Sequence, residues 1–139
     1  MSAAIPEEVD EDLHIRSDAD IVIARRRGRL LAERSGFSTT DQVLITTAIS
    51  ELARNILLYA KGGRIGLRQV KNHEVHGVTV IASDDGPGIA DVDRAMEPGY
   101  STSSSLGLGL PGVKRLMDEM SIETQVGVGT TVTATKWKR

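Results

Sequence analysis

The chain has 139 residues, is 40% hydrophobic, carries a formal net charge of −2 and contains no cysteine. That length and apolar content suit one compact domain with a real core, and the near-neutral charge gives no electrostatic ground for binding nucleic acid. Without cysteine there is no disulfide framework or thiolate zinc site, which fits a reducing cytoplasm, and no uninterrupted apolar run approaches the ~20 residues of a membrane span, so no membrane partner is expected.

Residues 1–12 read as a flexible acidic lead. A short strand is expected at Leu13–Arg16, then a helix with Ser17 as N-cap, Asp20 completing a capping box and Gly36 as the stop. Ser38-Thr39-Thr40 opens a second helix that runs to about Ala60 and ends at Gly62-Gly63. Arg64–Lys71 and Val75–Ser83 predict a hairpin. The stretch from Gly86 to Leu110 is rich in Gly, Pro and Ser, with one helical turn near Val92–Met96; it is longer than an ordinary connection and reads as a functional lid. A helix over Pro111–Met120 and strands at Ile122–Val126 and Thr130–Trp137 complete the chain. Residues 13–139 are therefore expected to form a single α+β domain, a two-layer sandwich of a mixed sheet with helices on one face.

Three segments carry chemistry. In the second helix, Leu44, Ile45, Ala48, Ile49, Leu52, Ile56 and Tyr59 make an apolar stripe. Glu51 and Asn55 stack at its margin, four residues apart. An amide oxygen there suits magnesium, which prefers oxygen ligands, and a carboxylate suits general-base work on a hydroxyl. Asp84 ends an apolar strand before Asp85-Gly86-Pro87-Gly88. An ionised carboxylate only accepts hydrogen bonds, so it can take the exocyclic amine of adenine and repels the carbonyl of guanine. Gly86 and Gly88 let backbone approach a ring closely, while Asp85, one residue on, is turned away by strand alternation. Gly107-Leu108-Gly109-Leu110 precedes a helix and offers backbone N–H groups to an anion.

Gly107, Gly109 and Gly112 also spell G-x-G-x-x-G, but they follow a Ser-rich loop rather than a strand and lack the acid about 20 residues on, so a dinucleotide fold is not expected. With one Phe, one Trp and two Tyr, base stacking on aromatics is not expected either. Arg25, Arg26, Arg27 and Arg29 read as a solvated helix face, Ser101 to Ser105 as a lid tip, and His14, His73 and His76 lack metal-ligand pairing.

The order of the three segments resembles the GHKL ATPase/kinase superfamily, whose ATP-binding (Bergerat) fold is shared by histidine kinases, gyrase, Hsp90 and MutL. By that resemblance Glu51 and Asn55 match the N box, Asp84, Gly86 and Gly88 the first glycine box, Gly107 and Gly109 the second, and Gly129-Thr130 the closing element near the adenine. The runs Thr46–Ile56 and Gly109–Glu119 are similar to the RsbT-type serine/threonine switch kinases of the bacterial stressosome. That resemblance implies ATP and Mg2+ as cofactors and Glu51 as catalytic residue. It implies nucleotide contacts from Asn55, Asp84, Gly86, Gly88, Gly107, Leu108, Gly109, Leu110 and Thr130, with Asn55 on the metal. Its implied partners are STAS-domain proteins of RsbS/RsbR type as substrates and an RsbU-like phosphatase activated by the released kinase. Ser105 stands where the second glycine box commonly begins with Gly, so weaker or altered nucleotide binding is expected. The alternative is an ATP-gated anti-sigma factor acting by sequestration. A histidine kinase would need a phospho-accepting helical hairpin, and the larger ATPases a transducer domain; neither pattern is present in this sequence.

Overall fold

The computed structural model describes residues 5–90, 92, 96 and 109–138, with the backbone alone for 5–10. Gly107, Leu108, Ser105 and most of the expected lid lie outside the described residues. In chain order the elements are β1 (Ile5–Ile15), α1 (Asp18–Arg34), α2 (Thr39–Ala60), β2 (Gly63–Asn72), β3 (Val75–Asp84), α3 (Gly109–Leu116), β4 (Glu119–Gln125) and β5 (Gly129–Trp137). Of the expected turn before α3, the Met96 N–H donates to the Val92 carbonyl at 3.0 Å.

The five strands form one sheet in the order β1-β2-β3-β5-β4. Alternate residues Ile65, Leu67, Val78, Val80, Ala82, Val132 and Ala134 join Ile45, Ile49, Leu52 and Ile56 of α2 in one core. The opposite sheet face carries Arg68 and Thr131, and its Thr79 and Thr135 hydroxyls hydrogen-bond at 2.8 Å across β3 and β5. The expected α+β two-layer architecture is observed. The sheet itself is antiparallel at every pairing rather than mixed, because β4 folds back on β5 and it is β5 that lies against β3.

Two boundaries and one cap differ from expectation for physical reasons. β1 begins at Ile5, so much of the stretch expected to be a flexible lead is an edge strand paired with β2. Charged residues are what edge strands tolerate, and Glu11 and Asp12 find cations at Arg27 (2.7 Å) and Arg68 (3.0 Å). α1 does start after Ser17, but the Ser17 side chain makes no capping bond; Asp20 Oδ2 instead accepts the Arg16 N–H at 2.8 Å. α3 stops at Leu116, short of Met120: Lys136 Nζ donates to the Leu116 carbonyl at 2.8 Å and the Asp118 N–H donates to the Thr135 carbonyl at 2.9 Å. The chain after Leu116 is thereby drawn into β4.

α2 carries the site. Ser38 caps it, its hydroxyl accepting the Asp41 N–H at 3.1 Å, and Thr46, Thr47 and Ser50 return their hydroxyls to carbonyls one turn back. The helix has 22 residues and ends on Lys61, a left-handed residue at φ 66°, rather than on the glycines that follow. By length and composition α2 could cross a membrane (mean hydropathy 1.3). Its apolar stripe is instead spent on the core, where Ile45, Ala48, Ile49, Leu52 and Ile56 are at most 2% exposed, as in a core helix.

Candidate functional site

Asp84 is the last residue of β3 and sits between Gly63 and Thr130 across the sheet. Gly63 pairs with it from β2, and Thr130, the residue after Gly129, pairs with it from β5. A Cβ on Gly63 would lie 2.2 Å from the Ser83 carbonyl oxygen, and one on Gly129 would lie 2.1 Å from the Asp84 carbonyl oxygen. Neither position can accept a side chain without moving the β3 backbone. Asp84 Oδ1 accepts the Gly86 N–H at 2.8 Å, which bends the chain sharply after the strand. Its other oxygen has no protein partner among the described residues and remains an acceptor. Asp85 is exposed, as alternation predicts.

The two glycines of this turn are held by contact. A Cβ on Gly86 would meet the Ala60 Cβ at 2.7 Å, so the turn lies against the C-terminal end of α2. Gly88 adopts φ 78°, and a Cβ there would meet the Gln125 carbonyl oxygen at 2.5 Å. The Gly127 N–H donates to the Pro87 carbonyl at 2.8 Å, and the Ile89 N–H donates to Thr124 Oγ1 at 2.8 Å. Thr124 Oγ1 also lies 2.8 Å from Thr130 Oγ1 and 3.2 Å from the Gly129 carbonyl oxygen.

On α2, Glu51 is 7% exposed and its Oε2 pairs with Arg54 Nη1 at 2.8 Å. Asn55 is half-buried and its side-chain amide has no hydrogen-bond partner among the described residues. At 1.5 Å rise per residue, Asn55 stands about 7.5 Å along the axis from Ala60, and Glu51 about 13.5 Å. The order along the helix is therefore Gly86 and Asp84 at one end, Asn55 between, Glu51 beyond. α2 packs against α3, whose first residue, Gly109, is buried at φ 63° and is followed by Leu110, 9% exposed. Gly107 and Leu108 lie outside the described residues.

This donor set fits a magnesium nucleotide. It offers a carboxylate acceptor for an amine, an unpartnered amide oxygen for a hard cation, a second carboxylate, and a helix start for an anion. Among the described residues no group of three or more His, Asp or Glu could hold a metal alone, so a magnesium ion held by Asn55 would need phosphate oxygens and waters as its remaining ligands. An open cleft of about 380 Å3 lined by Tyr59, Ala60, Lys61, Asp85, Pro87 and Gly127 touches the set only at Gly86. Sequence reasoning missed Gly63 as a packing requirement and Thr124 altogether; a threonine six residues before Thr130 becomes visible only through the β4–β5 register, which pairs them. It also placed Tyr59 in the apolar stripe, whereas that residue is 50% exposed.

Comparison with known proteins identifies the family. Residues 40–139 match the family described as histidine kinase-, DNA gyrase B-, and HSP90-like ATPase. The chain is 55% identical over 127 residues to the serine/threonine-protein kinase RsbT of Bacillus subtilis, covering 91% of this chain and 96% of that one. It is 33% identical over 97 residues to an anti-sigma F factor of Caldanaerobacter subterraneus, covering 67% and 68%. Among solved structures, the RsbU and RsbW domains of a Mycobacterium tuberculosis protein share the fold at TM-score 0.59 and 22% identity, over 93% of this chain and 33% of that one. The SiaB–SiaC complex of Pseudomonas aeruginosa does so at TM-score 0.55 and 12% identity, over 94% and 89%. The chain belongs to the histidine kinase-, DNA gyrase B- and HSP90-like ATPase family, in its branch of RsbT-type serine/threonine-protein kinases.

Proposed function

We propose that this kinase transfers the γ-phosphate of ATP to a serine or threonine of a STAS-domain partner of RsbS/RsbR type. Once released, it binds and activates an RsbU-like phosphatase in cytoplasmic stress signalling. The observation that carries the reading is the linear order along α2, with an acceptor for adenine at the Ala60 end, Asn55 in the middle and the buried Glu51 at the far end. That is the order of base, phosphates and transfer point in an extended nucleotide triphosphate. The 55% identity to a serine/threonine-protein kinase supports the same reading.

In this mechanism the free oxygen of Asp84 accepts the adenine amine, and Gly86 and Gly88 leave room for the ring and sugar. The amide oxygen of Asn55 and the start of α3, with Gly107, Leu108, Gly109 and Leu110, hold the magnesium–phosphate group. Magnesium, when bound, neutralises phosphate charge. Glu51 orients the partner's hydroxyl and accepts its proton. Arg54 already occupies one Glu51 oxygen, which leaves the other to meet the hydroxyl. Phosphoryl transfer has a loose transition state, so positioning and charge neutralisation supply most of the acceleration.

A second reading, ATP-gated sequestration of a sigma factor, is favoured by the 33% identity to an anti-sigma F factor. The two readings separate in one experiment: incubation with Mg-ATP and either a purified STAS-domain protein or a sigma factor from the same source. Phosphoserine or phosphothreonine on the STAS protein, found by mass spectrometry, supports the kinase reading. Nucleotide-dependent retention of the sigma factor without such a product supports sequestration.

A further inference from the structure

We propose that Thr124 is a positioning residue that sets which nucleotide base the site accepts, by accepting the hydrogen bond of the Thr130 hydroxyl; the inference rests on the nucleotide-binding reading above. Proton counting at one oxygen carries it. Thr124 Oγ1 has one proton and two lone pairs, and three groups lie within hydrogen-bond distance of it. The Ile89 N–H (2.8 Å) donates to it, using one lone pair. The Gly129 carbonyl oxygen (3.2 Å) can only accept, so it takes the proton. The remaining lone pair faces Thr130 Oγ1 (2.8 Å), which must then donate. This arrangement makes all three bonds. The reverse, with Thr124 donating to Thr130, abandons the Gly129 carbonyl.

The consequence lies one residue away. With its proton committed to Thr124, the Thr130 oxygen is left as an acceptor, and Thr130 pairs directly with Asp84 across β3 and β5. The base end of the site then presents two acceptors side by side. An adenine amine carries two N–H donors and suits them; the carbonyl that guanine places there meets only lone pairs. The same oxygen also ties the loop after Gly88 to β4 through Ile89, so the acceptor pattern and the position of the glycine turn are set together. Thr124 touches neither base nor phosphate in this scheme.

The test compares ATP and GTP binding, by calorimetry, to the wild-type chain and to Thr124→Val, Thr124→Ala and Thr124→Ser, with thermal melts recorded on each. Loss of the Thr124 acceptor frees the Thr130 proton to point at a guanine carbonyl. Thr124→Val is expected to lose about tenfold in the ATP-to-GTP affinity ratio, the worth of one hydrogen bond, while Thr124→Ser keeps the wild-type ratio. Thr124→Ala makes no demand on space and gives the same readout if the valine variant does not fold. Amide exchange at Ile89 supplies a measurement independent of nucleotide: protected in wild type and Thr124→Ser, and faster in Thr124→Ala. A role in packing alone would lower the melting temperature and leave the ratio unchanged, and that result overturns the proposal. Absence of ATP binding in the folded wild-type chain would instead overturn the nucleotide reading itself.

Discussion

Replacing Asp84 by asparagine changes a single atom at the proposed base end of the site, and the bonds that change affects follow from the geometry of the turn. Oδ1 already accepts the Gly86 N–H at 2.8 Å. The amide oxygen of the substituted side chain keeps that bond, so the turn, its seat on Ala60 and the fold should survive. The second oxygen becomes an NH2 group, a donor pointing at the adenine amine, which is also a donor. Two quantities are lost. A hydrogen bond to a charged acceptor is worth about 1.5–3 kcal/mol, and leaving two donors opposed and unpaired costs about 1–3 kcal/mol more. Together these give about 2.5–6 kcal/mol, or roughly sixtyfold to twenty-thousandfold in the dissociation constant. Calorimetric titration with Mg-ATP reads the loss, and a thermal melt without nucleotide should coincide with wild type. The direction for GTP is opposite, because the new NH2 can donate to the guanine carbonyl, so the ATP-to-GTP preference should shrink or invert. Retention of wild-type ATP affinity in Asp84→Asn would refute the assignment of Asp84 as the amine acceptor.

Two further predictions concern backbone conformation, one beside Asp84 and one in the hairpin loop at the opposite end of β3. Gly129→Ala must place a side chain at φ 150° and a Cβ 2.1 Å from the Asp84 carbonyl oxygen. A glycine-only conformation costs about 1–3 kcal/mol and overpacking against backbone about 1–3 kcal/mol, so circular dichroism melts should show a fall of about 2–6 kcal/mol together with weaker ATP binding. His73 sits at φ 58° in the two-residue loop between the paired Asn72 and Val75. His73→Gly should therefore stabilise the hairpin by about 0.5–1 kcal/mol, the relief of left-handed strain less the added chain entropy, without changing nucleotide affinity.

The parts of this fold legible in the sequence are those decided locally. Ser38 and Gly36 mark helix boundaries because capping and positive φ are properties of a few consecutive residues, and the period of the α2 stripe identifies its buried face. Glu51, Asn55, Asp84, Gly86 and Gly88 stand out because their residue types are costly or unusual where they occur. What was not legible depends on neighbours distant in the chain. The acidic stretch before Leu13 carries no apolar alternation, so its role as an edge strand rests on β2 and on the cations Arg27 and Arg68. Met117 and Met120 continue a helical spacing past Leu116, and only Lys136 and Thr135, some 20 residues later, end α3 and begin β4. The direction of strand pairing has no local signature at all. The glycine contacts of Gly63 and Gly129 and the hydroxyl cluster at Thr124 likewise follow from register.

Glu51 carries the central claim, and its neutral isostere tests it most directly. Glu51→Gln keeps the shape of the side chain and a contact to Arg54 while removing the proton acceptor, so Mg-ATP should bind with nearly wild-type affinity. Transfer of labelled γ-phosphate to a purified STAS-domain protein, followed in single turnover, should fall about a hundredfold to ten-thousandfold, the usual contribution of a positioned general base. Equal transfer by the wild-type and Glu51→Gln proteins would contradict the account, since the hydroxyl proton would then be leaving by a route that does not involve this carboxylate.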